Sequence, residues 1–293
     1  MTTSQSALAA DGIEPRNLHF GFNTSLPLYW HSDNPVITSF YDALSMTFPD
    51  GEQFFIDSVR NYARRIDDPV LKRQVRAFTT QEAIHSREHS AYNALLAERG
   101  LPVHKFERII KTVVRLARKY LPFRTQLAAT TCYEHFTALL AEHMLSDPRV
   151  IAGAHPFYRD VWRWHAMEEE EHKAVAFDVY KAMNPGFRGY ISRSIAMVIV
   201  AADFFSMTTF LPMWILWKRG ELFNIRAWGK SFWYQWIAPG FKRHLLMGIP
   251  AFFSPSFHPA KRKVKPEVLA WRNQYLATQT RGADMAGSIF AKG

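Results

Sequence analysis

Two Glu-x-x-His tetrads, Glu82-Ala83-Ile84-His85 and Glu169-Glu170-Glu171-His172, constrain this chain more than any other feature. In a helix, residues i and i+3 share a face, so each tetrad sends a carboxylate and an imidazole the same way. Each tetrad also follows a helical segment bearing a lone glutamate. Glu52 precedes Glu82 by 30 residues (52 to 82), and Glu134 precedes Glu169 by 35 (134 to 169). The order is therefore Glu, Glu-x-x-His, Glu, Glu-x-x-His, a duplicated helix hairpin with a long crossover between its halves. Two glutamates and two Glu-x-x-His pairs facing one core are the donor set of dinuclear carboxylate bundles. Four carboxylates balance two divalent ions, and without such ions their burial would cost several kcal/mol each. The expected ligands are Glu52, Glu82, His85, Glu134, Glu169 and His172.

Neighbouring residues extend these stripes. His165 lies four residues before Glu169 and is expected as a seventh ligand. His89 lies four after His85 and is expected to hydrogen-bond a ligand from behind. Glu88 and Glu168 have a poorer phase. Glu168, Glu170 and Glu171 read as a solvated acidic face. Glu52 also fits a first-turn acid favoured by the helix dipole. Glu142 and His143 read as surface or hydrogen-bonding groups, and Cys132 as core filler. With one cysteine in the chain, no intrachain disulfide forms and metal ligands must come from His, Asp and Glu.

No strand-like alternation of useful length accompanies the motifs, so the class is all-α: a four-helix bundle of ferritin-like type with a crossover helix and a C-terminal apolar helical annex. The expected segments are 1–48, an N-terminal arm and helix; 49–185, the bundle; and 186–293, the annex. Asn34-Pro35 starts a helix running to about Thr47, and Phe48-Pro49-Asp50-Gly51 breaks it. Further helices are expected over about 52–66, 69–99, 106–120, 122–145 and 156–183. The 106–120 helix is basic and serves as the crossover.

The annex differs in character. Met197–Trp217 contains one charge, Asp203, and one proline, Pro212, between basic flanks. Three placements fit: a helical hairpin seated in a membrane, a true span, or a buried helix or dimer surface. The net charge of +10 and the 15% aromatic content suit an anionic membrane surface better than nucleic acid. No signal peptide is evident. The expected location is cytoplasmic and peripheral to the inner membrane, with a homodimer left open.

The segments FPDGEQFF, QEAIHSREH, CYEHFTALLAEHM and WHAMEEEEHKAVAFDVY resemble the bacterial family of predicted metal-dependent hydrolases, over about residues 20–250. The hydrolase name does not follow from these ligands. The His-x-x-x-Glu-x-x-His of the last bundle helix is similar to that of di-iron arylamine N-oxygenases, whose extra histidine ligand would fall on His165. Acyl-carrier-protein desaturases, ribonucleotide reductase small subunits and ubiquinone-synthesis hydroxylases share the core pattern without that histidine. None of these matches the apolar annex well. The resemblance implies two iron ions (manganese or a mixed pair as substitutes) and an O2-dependent oxygenase or oxidase. The apolar annex is expected to feed it a hydrophobic, membrane-derived substrate, and its electron donor is unidentified. A dinuclear hydrolase of an ester or phosphoester and a non-catalytic metal-binding protein are the alternatives.

Overall fold

Asn34 and Pro35 open the first long helix, α1 (Pro35–Arg60), as their side chains dictate. Asn34 Oδ1 accepts from Val36 N at 2.9 Å and Ile37 N at 3.0 Å, satisfying two amides that the helix leaves free. The expected break at Phe48–Gly51 does not occur, and α1 runs straight through Pro49. Proline has no N–H to give Ser45 O, the acceptor four residues back. Asn93 repairs the loss from another helix: its Nδ2 donates to Ser45 O at 3.1 Å while Ser45 Oγ donates to its Oδ1 at 2.9 Å. The segment boundary expected after residue 48 therefore falls inside one continuous helix.

The computed structural model describes residues 12–262, 265–270 and 272–273. The outer ends of the 1–48 and 186–293 segments lie outside the described residues. After α1 come α2 (Pro69–Glu98), α3 (Val103–Tyr120), α4 (Phe123–Ser146), α5 (Pro156–His172) and α6 (Val175–Met183). Asp68 caps α2, accepting from Val70 N at 2.8 Å, and Gly100 at φ +86° ends it. The helix expected over 156–183 is divided at Lys173–Ala174, where no glycine or proline marks a turn. The annex holds α7 (Gly186–Lys218), α8 (Ile225–Phe232), a π-helical turn (Trp233–Ile237) and α9 (Phe241–Phe252). The fold is all-α, and among the described residues there is no strand.

α1 packs on α2 and α4 on α5, with α1 and α4 meeting across the core, where Ser58 Oγ and Thr130 Oγ1 are 2.7 Å apart. α7 packs against both α1 and α4. Phe204 stacks on Phe136 with centroids 4.7 Å apart, and Arg219 pairs with buried Asp42 at 2.8 Å. α9 covers another flank of α4. A Cβ added at Gly248 would come within 2.5 Å of Leu139, so glycine permits that close approach. Between them, α7 and α9 leave every α4 residue from Glu134 to Leu145 buried. α7 is thus neither free of the bundle nor wholly buried. Met197, Val200, Phe204, Leu211 and Ile215 face inward, and the opposite side is open.

Candidate metal centre

The bundle brings all of the expected ligands to one place. Glu52 comes from the middle of α1, Glu82 and His85 from α2, Glu134 from α4, and His165, Glu169 and His172 from α5. All seven are buried, the most open being His165 at 4% exposure. His172 Nε2 lies 3.1 Å from Glu82 Oε1, 3.4 Å from Glu169 Oε2 and 3.6 Å from Glu134 Oε2. His165 Nε2 lies 3.0 Å from Glu169 Oε1, and His85 Nδ1 lies 3.8 Å from the same oxygen. Donor atoms of Glu52, Glu82 and His85 fall within 4.8 Å of one another, as do those of Glu82, Glu169 and His172, and of His85, His165 and Glu169. These overlapping triads could hold metal ions.

The hydrogen-bond pattern tests that fit. Both carboxylate oxygens of Glu52, Glu82 and Glu134, together with Glu169 Oε2, His85 Nδ1 and His172 Nε2, are buried without a hydrogen-bond partner. Buried polar atoms are normally satisfied, and a cation held among these donors would satisfy them. The opposite ring nitrogens are held. Glu168 Oε2 accepts from His85 Nε2 at 3.0 Å, and Gln81 Oε1 accepts from His172 Nδ1 at 2.9 Å. Each ring therefore turns its other nitrogen to the centre, as metal-ligating histidines do. His165 Nδ1 sits 2.9 Å from His89 Nε2, and His89 Nδ1 is 2.9 Å from Ser45 Oγ. His89 accordingly stands behind His165, although its ring also comes within ligating reach of Glu52 and His165.

Electrostatics follow the geometry. Burial raises the carboxyls of Glu52 and Glu134 well above the usual range and raises Glu82, with neighbouring carboxylates adding to it. Burial acts the same way on Glu169, but His172 and His165 override it and hold Glu169 well below. Burial pushes His85 and His89 well down, with His165 adding to it. His172 is raised well above its ordinary value because Glu169 and Glu82 outweigh burial.

The acidic run at the end of α5 is not a solvated face. Glu168 is fully buried, accepting from His85, from Trp164 Nε1 at 3.1 Å and from Arg16 Nη1 at 3.2 Å. Glu171 pairs with Arg16 at 2.8 Å and Glu170 with Lys173 at 2.7 Å, their side chains 3% and 6% exposed. For Glu168 and Glu171 the counter-charge is Arg16 of the N-terminal arm, which local sequence could not show. A sequence signal for Glu168 nevertheless existed: it is three residues after His165 and four before His172, in phase with both. Gln81 and Arg16 carried no such signal. Glu88 is also buried but turns away, accepting from Phe20 N at 2.8 Å. Glu142 pairs with Arg262 and Lys265.

Losing the Arg16–Glu168–His85 connection should loosen the centre. Arg16→Ala and Glu168→Gln are each expected to weaken metal retention about 10–100-fold, the usual effect of removing a partner behind a ligand. Chelator competition measures this, and unchanged retention in both variants would deny Glu168 the positioning role.

On one side the centre meets a small cavity of about 20 Å³, lined by His165 and Glu169 together with Leu44, Phe48, Met144, Trp162 and Phe241. Phe241 comes from the annex, so that segment helps wall the site.

An all-α bundle with a buried carboxylate–imidazole cluster is the architecture of a metal-binding protein, and the clusters could bind metal. Residues 14–263 match the family described as "predicted metal-dependent hydrolase", and the chain belongs to that family. No curated protein and no solved structure matches it. The family description backs the hydrolytic alternative better than the oxidative expectation, and it names neither iron nor oxygen chemistry.

Proposed function

We propose that the chain is a metal-dependent enzyme whose bundle core holds two metal ions between Glu52, Glu82, His85, Glu134, His165, Glu169 and His172, acting on an apolar substrate. The convergence of nine orphaned donor atoms in a fully buried site carries this reading. Such a pair of ions would supply either an activated water for hydrolysis or, as iron, electrons for the reduction of O2.

The chain's own residues do the rest. Phe48, Met144, Trp162 and Phe241 give the small cavity beside His165 and Glu169 an apolar lining. Glu168 and Gln81 orient the His85 and His172 rings. Each reaction class has its own support. Hydrolysis of an ester or phosphoester is supported by the family description. Oxidation of an apolar substrate by a di-iron centre is supported by the donor set, since four glutamates and several imidazoles suit iron and manganese, and by the apolar lining.

One pair of assays separates the two. If the chain is an oxidase, anaerobically iron-loaded and reduced protein takes up O2 in proportion to its iron, and apolar esters are untouched without O2. If it is a hydrolase, ester or phosphoester turnover proceeds in anaerobic buffer with manganese or zinc, and O2 uptake stays at background. Retention of metal with neither activity would sink both and leave a storage or binding protein.

A further inference from the structure

α7 keeps one side uncovered along its length. Ile195, Ile199, Phe210, Met213 and Trp217 are 37–67% exposed, and beyond the helix Phe223 and Ile225 reach 88% and 84%. Exposed apolar side chains repeated along one helix side in this way mark an interaction site. Exposed cations lie in the same annex: Arg188, Lys218, Arg226, Lys230 and Arg243. Residues 186–258 contain eight Lys and Arg but only two acids, Asp203 and Glu221. Both acids are engaged. Asp203 accepts from Tyr133 Oη at 2.5 Å, and Glu221 accepts from Tyr29 Oη at 3.2 Å and Asn224 Nδ2 at 2.8 Å.

We infer that the outer side of α7 and the loop after it rest on an anionic lipid bilayer, with the helix lying along the interface. Charge complementarity selects this occupant. A second copy would bring like cations face to face, because each chain carries a net +10. An anionic bilayer neutralises the same cations and takes up the apolar side chains. A span is a poorer fit. α7 is long and apolar enough to cross a membrane, but its inner stripe is packed on α1 and α4, and withdrawing it would uncover α4. Trp217 with Lys218 over its ring at 4.1 Å has the amphipathic chemistry of an interfacial anchor.

The test uses the full chain and vesicle sedimentation, and it needs no bound metal. The chain is expected to pellet with phosphatidylcholine vesicles containing phosphatidylglycerol, and far less with phosphatidylcholine alone or at high salt. Lys218→Glu combined with Lys230→Glu should weaken binding about thirtyfold. Ile199→Ser combined with Phe210→Ser should weaken it comparably, with melting curves showing that both variants fold. Failure to bind anionic vesicles, or binding by both variants as tight as the parent's, overturns the inference. So does a doubled mass in solution that the apolar variant abolishes, which would assign the surface to a second copy. Because vesicle binding and metal loading are read separately, failure here leaves the metal centre untouched.

Discussion

Glu82→Ala and Glu169→Ala chains will emerge from iron- or manganese-rich growth almost free of metal, while the parent chain carries up to two ions. Both carboxylates are buried, and each belongs to more than one of the triads that could hold an ion, so either loss removes a ligand from both positions. A purely structural role would make the same substitutions destabilising. The metal centre makes a different demand: in the metal-free chain Glu52 is buried without a partner beside Glu82 and Glu169, so a neutral replacement there relieves strain. Glu52→Gln should therefore stabilise the metal-free chain, by about 1–3 kcal/mol, while lowering metal content. Elemental analysis and chemical denaturation together decide it. Full loading of Glu82→Ala, or a metal-free Glu52→Gln chain less stable than its parent, would defeat the assignment.

The stability of the metal-free chain should fall as pH rises above about 6.5, and metal should abolish that fall. Glu52, Glu82 and Glu134 have folded-state pKa values raised above the ordinary 4.5, and His172 is raised above 6.5. A raised group contributes stability that is complete below its unfolded pKa and is lost as pH climbs through the folded one. His85, His89 and Glu169 are lowered and act the opposite way, gaining stability as pH rises. Their effect is complete above the unfolded histidine value of 6.5, and Lys242, lowered by burial to about 8, begins to add stability only above that pH, so the falling contribution stands alone between 6.5 and 8. Metal displaces the protons and pairs the carboxylates, and free metal at a hundred times its dissociation constant adds about 2.7 kcal/mol. For a chain of this size that is a rise in Tm of roughly 4–5 °C. Thermal unfolding between pH 6.5 and 8, with and without manganese, measures both effects. A flat profile without metal, or no shift on adding it, would count against the centre.

The ligand stripes were legible in the sequence because helical periodicity is local. His165, Glu169 and His172 share one face of α5 whatever lies opposite, and Glu82 and His85 share one face of α2. Glu168 shows where that reasoning stopped. Its phase reads as poorer than that of Glu169 and charge runs are usually solvated, whereas Arg16, far away in the chain, joins His85 and Trp164 in making its burial tolerable. Pro49 is similar. A proline beside Asp50-Gly51 is a sound reason to end a helix, and the amide that removes the penalty belongs to Asn93 on another helix.

By itself, then, the sequence determined the helical class, the order of the Glu and His residues that converge in the core and the apolar character of the annex, since each follows from spacing or composition within a few turns of chain. Tertiary structure alone decided that α1 is continuous, that Gln81 and Glu168 hold the imidazoles, and that α7 and α9 enclose α4 while Phe241 walls the site. Those outcomes depend on which groups from distant segments meet, and the cost of a buried charge or a missing amide is set by the partner it finds.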